Sequence, residues 1–198
     1  MKDTVRTFIA IETSDAVRQR AAELIAIYAA SGAKVSWVKP HNLHLTLKFL
    51  DEVPLKSIPK VIAAVQKAAA EQDAFEVEIR TAGAFPSAHR PRTLWLATGH
   101  GSEALGKLHA ALESELKTIG FPKEHRRFAA HLTIGRVREA SLAVGELALL
   151  IRQQADFTAG QFAVAELVVF SSQLTPQGPI YEALCRAALS RTESIPIA

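Results

Sequence analysis

The chain has 198 residues, 48% of them hydrophobic and 22% charged, with 23 Lys and Arg against 20 Asp and Glu. That length and apolar fraction are enough for one core of ordinary size, and they exclude a disordered or low-complexity chain. The net charge of +3 permits a polyanionic partner without demanding one, and the single Cys185 excludes an internal disulfide or a multi-cysteine zinc site.

In chain order, residues 5–12 alternate, with Val5, Thr7, Ile9 and Ile11 on one side and Arg6, Phe8 and Ala10 on the other, which predicts a strand. The start carries an acid and no apolar leader, and apolar runs are only a few residues long; a cytoplasmic protein with no membrane partner is expected. Thr13-Ser14-Asp15 offers caps for a helix over 16–30, with Leu24, Ile25 and Tyr28 on its buried stripe. A strand at 34–38, a turn at 39–42 and a strand at 43–50 follow, then a helix over 54–72 burying Ile58, Ile62 and Val65. Residues 75–81 read as a strand, 83–92 as a loop and 93–98 as a strand, and Ser102 caps a helix to about Gly120. A strand at 129–137 and a short helix at 144–154 come next. Two strand patterns, 161–171 and 180–189, close the chain around a turn at 176–179. No stretch resembles a linker, so residues 1–198 are read as one α+β domain.

Leu43-His44-Leu45-Thr46-Leu47 returns as Ala130-His131-Leu132-Thr133-Ile134, with the histidines 87 residues apart. Two copies at so long an interval indicate a duplicated half-domain, not a solenoid. On a strand, residues i and i+2 share a face. Each copy therefore buries its aliphatic side and presents an imidazole and a hydroxyl on the other. Related by a pseudo-two-fold, the copies would place two imidazoles and two hydroxyls around one cleft.

Imidazole titrates near neutral pH, so one histidine can act as base while the other is protonated and acts as acid, without a metal or other cofactor. Threonine hydroxyls suit the non-bridging oxygens of a phosphate under attack. Neither histidine has an obvious serine or cysteine partner for acyl transfer, and Cys185 reads as a small core residue. His41 is three residues from His44, which on a strand would point the two to opposite faces. His89, His100, His109 and His125 show no metal-ligand spacing and read as surface or loop residues. Lys123, His125, Arg126, Arg127 and Arg136 make the densest positive run and flank the second motif, which makes Arg127 and Arg136 candidates for phosphate or RNA contact. Strict alternation turns Arg136 away from His131 unless a bulge intervenes. It also makes Phe49 a core residue before a base-stacking one, and Trp37 and Trp95 core residues.

With Arg6-Thr7-Phe8-Ile9-Ala10-Ile11, Trp37-Val38, Gly83-Ala84-Phe85-Pro86, Pro91-Arg92-Thr93-Leu94-Trp95-Leu96 and Gly178-Pro179-Ile180-Tyr181, the two motifs resemble the 2H phosphoesterases. Within them the chain resembles specifically the bacterial and archaeal RNA 2',3'-cyclic phosphodiesterases, also called 2'-5' RNA ligases. Asp51 stands where that family usually has glycine, and Ala130 where it has proline. The resemblance implies a bilobal, pseudo-two-fold α+β fold in which two antiparallel sheets face a central cleft, with helices outside. It also implies metal-independent hydrolysis of RNA or nucleoside 2',3'-cyclic phosphates to 2'-phosphates by a monomer, with ligation as a secondary, reverse reaction. His44 would donate a proton to the leaving oxygen, His131 would accept one from water, and Thr46 and Thr133 would hold the phosphate. An RNA-end-binding module without turnover, and the same chemistry on another cyclic phosphate, are the competing expectations.

Overall fold

The N-terminal alternation becomes strand β1 (Thr4–Glu12), and Ser14 then accepts a hydrogen bond from the Val17 N–H to cap helix α1 (Asp15–Ala29). The computed structural model describes residues 3–125, 127–176 and 178–190. Strand β2 (Val35–Trp37), a single 3-10 turn at Pro40–Asn42 and strand β3 (His44–Pro54) carry the first motif, followed by helix α2 (Ile58–Ala70). Strands β4 (Phe75–Phe85) and β5 (Thr93–Thr98) lead to helix α3 (Ser102–Thr118), and strand β6 (His131–Val137) carries the second motif. Helix α4 (Ala143–Gln153) and strands β7 (Thr158–Val164), β8 (Glu166–Thr175) and β9 (Gly178–Ala188) complete the fold.

The strands run in the order β7-β4-β5-β6-β3-β1-β8-β9, with β2 on β6, and every pairing is antiparallel. Two four-stranded halves meet where β3 and β6 pair only at Leu45 and Leu132. The β1-α1-β3 passage has its counterpart in β5-α3-β6, so the duplication read from the motifs is built into the sheet. The chain halves are interleaved in space: β4 crosses into the second half and β8 returns to the first. Helix α1 packs on β7 and α4, and α2 packs on α3, β8 and β9. One continuous apolar core lies beneath the helices, running through Leu24, Leu45, Leu105 and Leu132. A separate group, Phe8, Ala10, Val168 and Phe170 with Tyr181, occupies the opposite face of the first half.

Four elements differ from their sequence reading. The pattern at 161–171 is two strands broken at Ala165, because β7 pairs with β4 and β8 with β1 in the opposite half. The supposed loop at 83–92 begins only after Phe85, since Gly83-Ala84-Phe85 extends β4 against β5. In α2 the buried stripe is Val61, Ala64, Val65, Ala68 and Ala69, with Ile62 only half-buried. Helix α3 is entered through Gly101 at φ 84°, where a Cβ would lie 2.2 Å from the Glu76 carbonyl; Ser102 turns its hydroxyl back to the Gly99 carbonyl at 2.6 Å. Gln177, in the predicted turn, lies outside the described residues.

Candidate active site

Each motif strand carries an irregularity at the same place. Between β1 and β3 the register passes from Ile9↔Lys48 to Ala10↔Thr46, leaving Leu47 as the extra residue. Between β5 and β6 it passes from Leu94↔Gly135 to Trp95↔Thr133, leaving Ile134 extra. Leu47 and Ile134 are both the third residue after their histidine. Two neighbouring residues are buried in each case, Leu47-Lys48 and Ile134-Gly135, so the alternation changes phase. Phe49 and Arg136 are thereby turned onto the face of the histidines and threonines. Phe49 is 52% exposed and is not a core residue, and Arg136 faces the cleft through the bulge that strict alternation omits.

The two histidines are held alike. His44 Nδ1 lies 2.7 Å from the Asn42 carbonyl, and His131 Nδ1 lies 2.8 Å from the Ala129 carbonyl. A carbonyl oxygen only accepts, so Nδ1 carries the proton in both rings and Nε2 is left for a ligand. Asn42 is itself anchored, its side-chain Nδ2 donating a hydrogen bond to the Pro179 carbonyl at 3.1 Å. With Leu45 opposite Leu132, the antiparallel register sets His44 beside Thr133 and Thr46 beside His131. All four side chains line one cavity of about 510 Å3, together with Phe49, Phe85, Arg127, Phe128, Arg136 and Tyr181. The structure thus brings together His44, Thr46, Phe49, Arg127, His131, Thr133 and Arg136. Arg126 lies outside the described residues.

The surroundings of the two imidazoles differ. His44 sits among Phe8, Phe170 and Tyr181, with ring centroids 4.9, 6.4 and 5.4 Å away. This burial pushes the His44 imidazole below its ordinary value, against the opposing pull of the Asn42 carbonyl and of Glu12. The same burial pushes the Tyr181 phenol up. Among the described residues His131 has one aromatic neighbour, Phe85, edge-on at 5.3 Å. Phe85 in turn covers Trp95, which stands in register with Thr133 and so lies on the cleft side and not in the core. Trp37 does pack on the core, and Cys185 is half-buried against it.

The residue after each bulge has a structural task. Gly135 lies under Trp37, where a Cβ would come within 2.8 Å of the indole and of Val35. Its counterpart Lys48 is buried; its ammonium lies 2.5 Å from Glu113 Oε1 on α3 and donates to the Pro122 carbonyl at 2.8 Å. Glu113 also accepts the Glu124 N–H at 2.8 Å, and His109 stacks on Phe128 at 3.9 Å. His109 is therefore buried, not a surface residue, and desolvation pushes its imidazole down. This cluster ties β3 to the 121–130 segment that delivers Arg127, Phe128 and the Ala129 carbonyl to the cleft. Among the described residues no group of three or more His, Cys, Asp or Glu is placed to hold a metal ion, and no helix is long and apolar enough to cross a membrane.

Two carbonyl-anchored imidazoles and two hydroxyls around one cleft of a duplicated antiparallel fold are the arrangement of a two-histidine phosphoesterase. The 2'-5' RNA ligase superfamily profile matches residues 13–175, and the chain belongs to that superfamily. The RNA 2',3'-cyclic phosphodiesterase of Thermotoga maritima is 34% identical over 180 residues, covering 91% of this chain and 93% of that protein. The protein of the same name from Methanothermobacter thermautotrophicus is 33% identical over 177 residues, covering 89% and 95%. Among solved structures, Escherichia coli LigT complexed with 3'-AMP superposes with a TM-score of 0.75 at 25% identity, covering 94% of this chain and 98% of that one.

Proposed function

We propose that the chain is a single-domain enzyme that hydrolyses 2',3'-cyclic phosphates at RNA ends or on nucleotides, yielding 2'-phosphates. The observation that carries this is the pair of imidazoles on one cavity, each with Nδ1 pinned to the carbonyl two residues before it and Nε2 free for the ligand. The names of the relatives support the same substrate class. In the reaction, His131 Nε2 takes a proton from water as its oxygen bonds to phosphorus. The bond from phosphorus to the 3'-oxygen breaks, and the proton on His44 Nε2 passes to that oxygen. Thr46 and Thr133 donate to the non-bridging oxygens, and Arg136 and Arg127 add positive charge. A 5'-hydroxyl in place of water takes the same course: its oxygen bonds to phosphorus as His131 Nε2 takes its proton. The 3'-oxygen leaves with the proton from His44, and the two ends are joined through a 2'-5' phosphodiester. Both proton carriers are protein side chains, so no metal step is required.

One observation favours a second reading in which the roles are exchanged. Burial favours the neutral form of His44, which suits a base in the empty site better than an acid. In the first reading, the charge of the bound phosphate restores the proton. The product distinguishes the two. A 2'-phosphate, resolved from the 3'-phosphate by phosphorus NMR, is the product expected of the first reading, with the 3'-oxygen beside the donor His44; a 3'-phosphate would mean the exchanged arrangement or a reversed sugar. Hydrolysis of a nucleoside 2',3'-cyclic phosphate with EDTA present tests the activity itself. Undiminished turnover is expected, and binding without turnover would leave only an RNA-end-binding module.

A further inference from the structure

Arg6, Arg18, Arg20, Arg80 and Arg186 each have a carboxylate within 4.0 Å. Among the described residues Arg90, Arg92, Arg127, Arg136, Arg138 and Arg152 have none; Arg152 is on α4, and the other five lie in segments bordering the second half of the cleft. Two of them are in line. Strands β2, β6 and β5 set Ser36, Arg136 and Thr93 side by side, and Arg136 donates to the Thr93 hydroxyl at 3.2 Å. Arg138 donates from Nε to the Ser36 hydroxyl, which stands in register with Arg136, so its side chain lies on the Arg136 face. The ladder continues there, with the Arg138 N–H donating to the Lys34 carbonyl at 2.8 Å. Arg136 lines the cavity, and Arg138 lies two residues, about 7 Å of strand, further out.

The pseudo-symmetry offers two ways out of the cavity, and charge separates them. Seven residues after His131 stands Arg138; seven after His44 stands Asp51, next to Glu52, both exposed. A cavity of about 510 Å3 holds a ligand the size of one nucleotide, so a longer strand must leave over one rim. On the first rim two carboxylates, Asp51 and Glu52, face the cation Arg6, 3.9 Å from Asp51, and the excess of negative charge disfavours a phosphate backbone. On the second, Glu139 next to Arg138 is paired with Lys34, which leaves the Arg138 charge uncompensated. On the other rim stand guanidiniums hydrogen-bonded to hydroxyls, with donors to spare for phosphate oxygens.

We propose that Arg138 binds the phosphodiester backbone just upstream of the terminal nucleotide, so that the ligand of this site is an RNA end of two or more nucleotides. This rests on reading the cleft as a terminal-phosphate site. The test is binding, measured apart from turnover: fluorescence anisotropy with a 5'-labelled hexaribonucleotide ending in a 2'-phosphate, and competition by a nucleoside 2'-monophosphate. The hexamer should bind at least tenfold more tightly than the mononucleotide. Arg138→Gln should weaken the hexamer about tenfold and the mononucleotide less than twofold, lowering the slope of log affinity against log salt by about 0.7, the value for one phosphate contact on a single strand. Arg152→Gln on α4 should change neither. Equal affinity for the two lengths, or an Arg138→Gln variant that binds the hexamer like wild type, would overturn the proposal. Length-dependent, Arg138-dependent binding in a protein that fails to hydrolyse the cyclic ends would sustain it while refuting the activity.

Discussion

The two halves of the cleft repeat one strand design and then use it differently. Each has a buried leucine between histidine and threonine, a carbonyl two residues before the histidine to fix its ring, and a bulge that turns the fifth residue after it into the cleft. In the first half the imidazole is walled by Phe8, Phe170 and Tyr181, the position after the bulge is a buried lysine, and the fifth position is Phe49. In the second half the imidazole meets Phe85 edge-on, the position after the bulge is a glycine, and the fifth position is Arg136. Different surroundings on equal frames lower the proton affinity of His44 through burial while both imidazoles stay within reach of one phosphate.

The largest stability effect should come from the half with the buried charge. Lys48→Met leaves Glu113 buried without its partner, and urea unfolding should show a loss of about 3–5 kcal/mol. Adding Glu113→Leu should return part of that loss, because it removes the stranded carboxylate. The corresponding change in the other half is Gly135→Ala, whose methyl meets Trp37 and Val35; a loss of about 1–3 kcal/mol is expected by the same measurement. Equal losses at the two positions would mean that their surroundings are not distinct.

A smaller effect concerns pH. His44 and His109 both have lowered values in the folded chain, so the unfolded chain binds more protons between those values and the ordinary one near 6.5. Their burial therefore costs stability most at acidic pH, and that cost fades as pH rises through 6.5. The urea midpoint should rise between pH 5 and 7.5, and His109→Gln should flatten that rise. Phe170→Ala, which opens the wall around His44, should move its imidazole resonance towards ordinary titration in an NMR pH series. The smallest effect is at Asp51, a non-glycine residue at φ 55° with a salt bridge of 3.9 Å to Arg6. Asp51→Gly should leave stability unchanged or raise it by a few tenths of a kcal/mol, as relief of the left-handed backbone outweighs an exposed ion pair.

Much of this arrangement was legible in the sequence. The repeated His-x-Thr motif identified the four side chains that share the cavity, because period-two alternation is reliable over three residues. It failed two residues further on: a bulge is a property of the partner strand's register, and nothing in Leu47-Lys48 or Ile134-Gly135 announces it. Phe49 was therefore assigned to the core, and Arg136 faced away unless a bulge intervened. The aromatic wall was also hidden, since Phe8, Phe170 and Tyr181 come from three strands whose adjacency depends on β8 crossing back to β1. His109 reads as a surface or loop residue, and only the contact from Lys48 to Pro122, 74 residues away, with Glu113 beside it, shows why it is buried. The glycine usual at the Asp51 position is explained by the positive φ found there.

The central claim is that the two histidines act as one acid-base unit on a cyclic phosphate. The most direct measurement is kcat/KM on a nucleoside 2',3'-cyclic phosphate for wild type, His44→Ala, His131→Ala and the double variant, with EDTA throughout. Each single change should lower the rate by about two to four orders of magnitude, and the double variant should be little worse than the poorer single one, because removing either partner already disables the pair. A single variant that keeps turnover within about tenfold of wild type, or losses that multiply as for independent groups, would contradict it.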